Sequence, residues 1–371
     1  CQHRCNRKEF TDMEKKIRVG ILGATGMVGQ RFVTLMDQHP WFTVTVLAAS
    51  ARSAGRSYEE AVGGRWKMEG PMPDYVKEMP VLNIDEIDRI KDEVDFVFCA
   101  LNMPKDEIRE IEERYAKAEV PVVSNNSAHR WTSEVPMVVP EINDQHFEVI
   151  EAQKKRLGTK KGFIAVKPNC SIQSYAPLLT AWLPFEPYQV LATTYQAISG
   201  AGKTFEDWPE MKGNIIPYIG GEEEKSEQEP LRLWGEIRNG EIVKSDRMVI
   251  TSQCIRVPVL NGHTAAVFVK FRKDPTFEEL VEAAEAFRGY PQENELPSAP
   301  KQFIRYLTED NRPQVSLDVD YENGMGVSFG RLRRDSLFDW KFVGLSHNTL
   351  RGAAGGAVLC AETLVSKGYI G

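Results

Sequence analysis

The run IRVGIL, residues 17–22, leads directly into GATGMVG and then into MVGQRFVTLMDQH, whose apolar residues recur at helical spacing. An apolar, β-branched strand that reaches a helix through a short glycine turn restricts the rest of the chain severely. Being apolar on both faces, it needs helices above and below, which parallel strands joined by crossovers supply. Further apolar runs follow at 43–50 (TVTVLAAS), 94–101 (VDFVFCAL), 120–125 (VPVVSN) and 162–166 (GFIAV), with a helical segment at 106–119. Residues 13–166 therefore read as an α/β unit built on a doubly wound parallel sheet.

The pattern changes after residue 167. Strand-like runs at 188–199, 248–260, 263–271 and 324–335 have fewer helices between them. Alternation puts His263, Ala265, Val267, Val269 and Phe271 on one face of a strand, as in a mixed or antiparallel α+β sheet. Residues 167–345 are expected to form this second domain. The small-residue helical pattern of 346–371 is expected to return and complete the first. A chain of 371 residues is long enough for two cores. The polar lead-in CQHRCNRKEFTD (1–12) reads as disordered, and Met13 offers an alternative start.

Composition narrows the function classes. A net charge of −7 with no basic tract argues against nucleic acid, while leaving room for a small anion held by local arginines. No apolar run approaches a membrane span, and the start does not read as a signal peptide. The six cysteines are scattered, with no CxxC pair, which fits reduced thiols in the cytoplasm and no metal site.

Gly23, Gly26 and Gly29 recur every third residue between strand and helix. The first permits a sharp turn, and the missing side chains let backbone N–H groups approach a pyrophosphate at the positive helix end. A ligand-free βα turn is the plainer alternative, but this one has the strand–turn–helix context of a dinucleotide site. An NAD site would place an acid about 20 residues on. Ser50, Arg52 and Ser53 stand there, with no acid before Glu59, which favours the 2′-phosphate of NADP. Arg52 alone also fits a solvated loop.

In KPNCSIQS (167–174), Cys170 lies between an apolar run and the expected start of a helix near Ser171, where helix N–H groups favour a thiolate. Cys99 and Cys360 read as core residues. Among the histidines, His39, His129, His146 and His347 fall in polar loops or helix ends, whereas His263 opens a strand after the turn LNG. A cysteine and a histidine downstream of a nucleotide loop point to aldehyde oxidation through a thioester.

GATGMVGQRF, SNNSAHR, NCSIQ, YQAISGAG, IPYIGGEEEK, RVPVLNGHTA and HNTLRGAAGG occur in that order. From about Lys16 onward the chain resembles the aspartate-semialdehyde dehydrogenases, particularly their archaeal and fungal branch. The resemblance implies a Rossmann-like NADP domain and an α+β catalytic and dimerisation domain. It makes Cys170 the nucleophile, Asn169 an oxyanion contact, His263 the acid/base and Gln196 the residue orienting the acyl intermediate. Glu222 and Arg256 would grip the substrate's amino and carboxylate groups, and Lys225 and Arg130 the phosphate. Thr25, Met27, Val28, Ser199, Gly200 and Asn348 would join the cofactor contacts. Three consecutive glutamates leave the choice among Glu222, Glu223 and Glu224 open, and GEEEKSEQEP also fits a solvated acidic loop. SAHR fits a surface turn with Arg130 in solvent. The implied reaction interconverts aspartate 4-semialdehyde, phosphate and NADP⁺ with 4-aspartyl phosphate and NADPH, toward lysine, threonine and methionine, in a homodimer or homotetramer. N-acetyl-glutamyl-phosphate reductase and a non-catalytic NADPH-binding regulator are the rival readings.

Overall fold

The computed structural model describes residues 16–371, so the lead-in and Met13 lie outside the described residues. Six parallel strands form the first sheet: β1 (Ile17–Leu22), β2 (Phe42–Ala49), β3 (Val81–Asn83), β4 (Phe96–Cys99), β5 (Val122–Ser124) and β6 (Ile164–Val166). Their order is β3-β2-β1-β4-β5-β6. The chain's direction of travel across the sheet reverses at β1, and the crevice beyond the carboxyl ends of β1 and β4 is where such sheets bind ligands. Helix α1 (Met27–Met36) follows β1, and α2 (Lys105–Lys117) links β4 to β5. β3 is too short to show alternation and escapes the sequence reading.

The second sheet is mixed, with order β10-β7-β11-β14-β13-β12. Its strands are β7 (Pro187–Gln196), β10 (Val249–Arg256), β11 (His263–Phe271), β12 (Ile304–Leu307), β13 (Val327–Arg334) and β14 (Trp340–Ser346); β8 (Glu236–Arg238) and β9 (Glu241–Val243) form a separate hairpin. Along β11 every second residue is buried from His263 to Phe271. The buried face packs against α3 (Ala176–Ala181), α4 (Glu222–Leu233) and α5 (Phe277–Glu285). Trp182 anchors this core edge-on to Phe271, Phe329 and Phe342, and its indole N–H donates to Leu280 O.

The last helix, α6, spans Ala354–Ser366; residues up to Ser346 belong to β14 instead. It lies against α1 and β5, with every residue from Ala354 to Val365 buried. Its glycines and alanines permit this close approach. Arg351, just before it, makes a buried two-bond ion pair with Glu141, at 2.7 and 2.9 Å.

Candidate active site

β6 ends at Val166, and Lys167, Pro168 and Asn169 carry the chain to Cys170 beneath the second sheet. No α-helix begins at Ser171. One 3₁₀ turn (Ser171–Ser174) intervenes, Tyr175 breaks the helical path, and α3 starts at Ala176 with Pro177 in its first turn. Proline is tolerated there because that N–H has no intrahelical partner. A single short turn carries little dipole, and the thiol is not lowered as the sequence led us to expect. Burial, aided by the Glu222 carboxylate, pushes it up against the opposing charges of Lys167, Arg130 and Arg256. Cys170 is half-buried, whereas Cys99, Cys254 and Cys360 are buried; all four are free thiols.

His263 is fully buried with Nε2 3.3 Å from Cys170 Sγ. Its Nδ1 accepts the Ala197 backbone N–H at 3.0 Å. A backbone N–H can only donate, so the neutral ring carries its proton on Nε2, facing the sulfur. Burial first, then Arg256, push the imidazole down to about 3, so the ring is neutral near pH 7. The other described histidines are buried too, where polar loops were expected: His39, His129, His146 and His347 bond to backbone or neighbouring side chains.

GEEEKSEQEP is helical. Glu222 begins α4, and the buried face of its first two turns is polar: Glu222, Ser226 and Glu229 stack at helical spacing, with Leu231 and Leu233 buried after them. Glu222 is buried, Glu223 half-buried and Glu224 exposed, so of the three it is Glu222 that points into the site. Its Oε1 accepts from Asn169 Nδ2 at 3.0 Å and Lys225 Nζ at 2.8 Å, while Oε2 is buried with no partner. Arg256, ending β10, is buried and donates through Nη1 to Ala197 O at 2.7 Å. Gln196 ends the neighbouring β7 opposite Arg256, buried, with its amide on Thr194 Oγ1. A Cβ on Gly200 would lie 3.2 Å from both Arg256 Nη1 and His263 Cε1, so a side chain there would crowd the pocket. Asn348 donates to Ser199 Oγ and accepts from Gly262 N–H, bracing the turn before His263.

Arg130 is not on a surface turn. It is buried, paired with Glu229 at 3.0 Å, and bonded to the carbonyls of Lys167 and Asn125. Glu229 also accepts the Asn169 backbone N–H, and the Asn169 side chain accepts from Ser171. Glu229, Ser226 and Lys167 thus belong to the setting of Cys170 and escape the sequence reading. The spacing of Glu222, Ser226 and Glu229 is the signal that could have found the two on α4; Lys167 carries no such signal.

At the other end of the cleft, Gly23 adopts φ +83°, and a Cβ there would lie 2.3 Å from Ala100 O. A Cβ on Gly29 would meet Gly23 O at 2.2 Å, so that glycine seats α1 on the turn. No side chain caps α1, leaving its first N–H groups open to an anion beside Thr25, Gly26, Met27 and Val28. Ser50, Arg52 and Ser53 form a turn just past β2, with Ser50 O accepting from Ser53 N–H; Arg52 is exposed and has no ion-pair partner among the described residues. These residues fit a dinucleotide carrying an extra phosphate.

Two family models match: Semialdehyde dehydrogenase, NAD binding domain, over residues 18–150, and Semialdehyde dehydrogenase, dimerisation domain, over 176–351. An aspartate-semialdehyde dehydrogenase of Methanothermobacter thermautotrophicus is 42% identical, covering 94% of this chain and 99% of that protein. The crystal structure of aspartate-semialdehyde dehydrogenase with NADP from Candida albicans superposes with a TM-score of 0.85 at 38% identity, covering 96% of this chain and all of that one. A malonyl CoA reductase (NADP) of Metallosphaera sedula is 37% identical, covering 96% of this chain and 99% of that protein. The chain belongs to the semialdehyde dehydrogenase family, alongside the aspartate-semialdehyde dehydrogenases of archaea and fungi.

Proposed function

We propose that the protein is an NADP-dependent aspartate-semialdehyde dehydrogenase that interconverts aspartate 4-semialdehyde and 4-aspartyl phosphate through a thioester on Cys170. The observation that carries the reading is the unpartnered, buried Glu222 Oε2 in the same pocket as Arg256 and the Cys170–His263 pair. A free α-amino group supplies the donor that Glu222 Oε2 lacks, and the planar Arg256 guanidinium suits the α-carboxylate. Neither malonyl-CoA nor an N-acetylated substrate brings an ammonium group, so this pocket favours the amino acid over both.

The Cys170 thiolate adds to the aldehyde carbon, and the oxygen's developing charge is met by the His263 Nε2–H. NADP⁺, when bound at the glycine turn with Arg52 near its 2′-phosphate, supplies the hydride acceptor. Gln196 flanks the resulting thioester, and Ser199, Gly200 and Asn348 shape the wall between cofactor and thiol. Phosphate then attacks the thioester carbon and expels the thiolate, giving the acyl phosphate. Lys225, the more exposed of the two cations assigned to phosphate, is its main contact. Arg130 and Asn169, already divided among several partners, chiefly hold the nucleophile's loop.

A homodimer, alone or paired into a tetramer, is part of the reading. The half-exposed face of the second sheet, with Leu191, Tyr195, Val249, Ile255 and Phe268, lies within the matched dimerisation domain. A cytoplasmic setting is consistent with the four described free thiols. The test is an assay of NADPH formation from aspartate semialdehyde, with and without phosphate. Phosphate-dependent turnover is expected with NADP; activity confined to malonyl-CoA or to an N-acetylated semialdehyde would overturn the assignment.

A further inference from the structure

Four cations surround Cys170, and they are not equivalent. Lys225 is paired with Glu222, and Arg130 with Glu229. Arg256 has no carboxylate within ion-pair distance among the described residues, but under the proposed function it receives one with the substrate. Lys167 is different. It is buried, and no carboxylate lies within ion-pair distance of it among the described residues. Its Nζ donates to Gly352 O, and its own N–H and C=O are held by Ser124 O and Arg130 Nε. A Cβ built on Gly352 would lie 2.7 Å from Cys170 Cβ, so a single glycine separates the ammonium from the nucleophile.

Burying an ammonium without an anion is costly unless one forms nearby. Of the acidic groups that act on Lys167, Glu229 is already paired with Arg130 and burial pushes the Cys360 thiol up to about 12, which leaves the Cys170 thiol to become its anion. His263 cannot provide the positive charge, because its ring is neutral near pH 7 and its Nε2–H offers a hydrogen bond without a net charge.

We propose that Lys167 is the counter-charge of the Cys170 thiolate, a positioning residue that favours ionisation of the nucleophile against its burial, even after the substrate's carboxylate has neutralised Arg256. The charges around the pair come from every packed segment: Glu222, Lys225 and Glu229 on α4, Arg130 from its loop, Arg256 on β10, His263 on β11 and Cys360 on α6. The Lys167 ammonium itself is lowered to about 8, by burial and then by Arg130, with Cys170 and Glu229 acting in the opposite sense.

The inference rests on Cys170 being the nucleophile, and its test is read without substrate. The rate of Cys170 alkylation by iodoacetamide, located by peptide mass, is followed against pH. Lys167→Met removes both charge and hydrogen bond, whereas Lys167→Gln removes the charge but can still donate to Gly352. Both should raise the midpoint by a unit or more and slow alkylation at pH 7 about tenfold, and Lys167→Arg should restore part of the loss. An unchanged midpoint in both neutral variants overturns the proposal; so does a Gln variant that behaves like the parent while Met does not. Should neither fold, the reciprocal measurement decides. In Cys170→Ser, the Lys167 titration followed by ¹³C-lysine NMR should move down relative to the parent, and no movement overturns the proposal. If alkylated Cys170 leaves turnover intact, it is the functional reading that fails, independently of the charge coupling.

Discussion

The pyrophosphate turn at the nucleotide end of the cleft is one continuous stretch of backbone, from Leu22 through Gly29, whereas the thiol end gathers side chains from segments scattered between Arg130 and Asn348. In the first, glycines matter because they are absent of side chain: Gly23 and Gly29 each lie where a Cβ would strike backbone. In the second, side chains hold one another, as Glu229 fixes Arg130 and Glu222 orients Asn169, and backbone groups of other segments hold Arg256, His263 and Lys167. Backbone recognition survives the loss of any one distant residue. A pocket of mutually supporting side chains does not. The two ends should therefore fail separately.

The largest effect tests that separation directly. Cys170→Ala should reduce turnover by roughly 10⁵-fold or more, as loss of a covalent nucleophile does. NADP affinity, measured by fluorescence titration, should be unchanged. Loss of activity in Cys99→Ala or Cys254→Ala with survival in Cys170→Ala would break the assignment.

Next is Arg256→Lys, which keeps the charge but loses the planar fork. kcat/KM for aspartate semialdehyde should fall about a hundredfold. Lys225→Met should act mainly on the KM for phosphate, with arsenate showing the same dependence. Matching KM profiles in the two variants would remove the distinction between the two anion sites.

At the other end, Arg52→Ala should raise the KM for NADP by roughly tenfold, the low end of a charge-assisted bond because the side chain is exposed. Preference over NAD should shrink with it. A parent enzyme that uses NAD and NADP equally would refute the role of Ser50, Arg52 and Ser53.

How legible each end was in the sequence follows from the same contrast. Gly23, Gly26 and Gly29 and the strand before them form a local pattern, and the first sheet could be read almost strand by strand, the three-residue β3 excepted. In the second domain β7, β10 and β13 read as strand-like runs and β11 by its alternation, whereas β12 and β14 escape. Glu229 was hidden for a physical reason. Over the first two turns of α4 the buried residues are Glu222, Ser226 and Glu229, and apolar ones follow only from Pro230 onward, so no apolar stripe marks a helix. The thiol's environment was misjudged because the charges that set it, above all Lys167 and Glu222, come together only in the fold.

The smallest effect on catalysis, and the one that contrasts the two ends in stability, concerns pH. The nucleotide domain buries a carboxyl group, Glu112, between α2 and β5; it is hydrogen-bonded to Ser124 and faced by Cys99, Arg109 and Arg130. Burial raises it to about 7. Between pH 4.5 and about 7 the folded state then holds a proton that the unfolded chain has released, so stability from this group falls as pH rises. Around the catalytic site His263 is lowered to about 3 and His347, just past β14, to about 4, in both cases chiefly by burial; burial also lowers His129 and His146 in the nucleotide domain. Below pH 6.5 the unfolded chain binds protons that these folded rings refuse, so their contribution is full above pH 6.5 and lost on acidification. Across pH 4.5–6.5 the two slopes oppose each other. Glu112→Gln abolishes one of them, at up to about 1.4 kcal/mol per pH unit. Urea midpoints at pH 5, 6, 7 and 8 should therefore rise more steeply with pH in Glu112→Gln than in the parent up to pH 6.5. Turnover at pH 8 should be unaffected. An identical pH dependence in the two proteins would show that Glu112 titrates like an exposed acid.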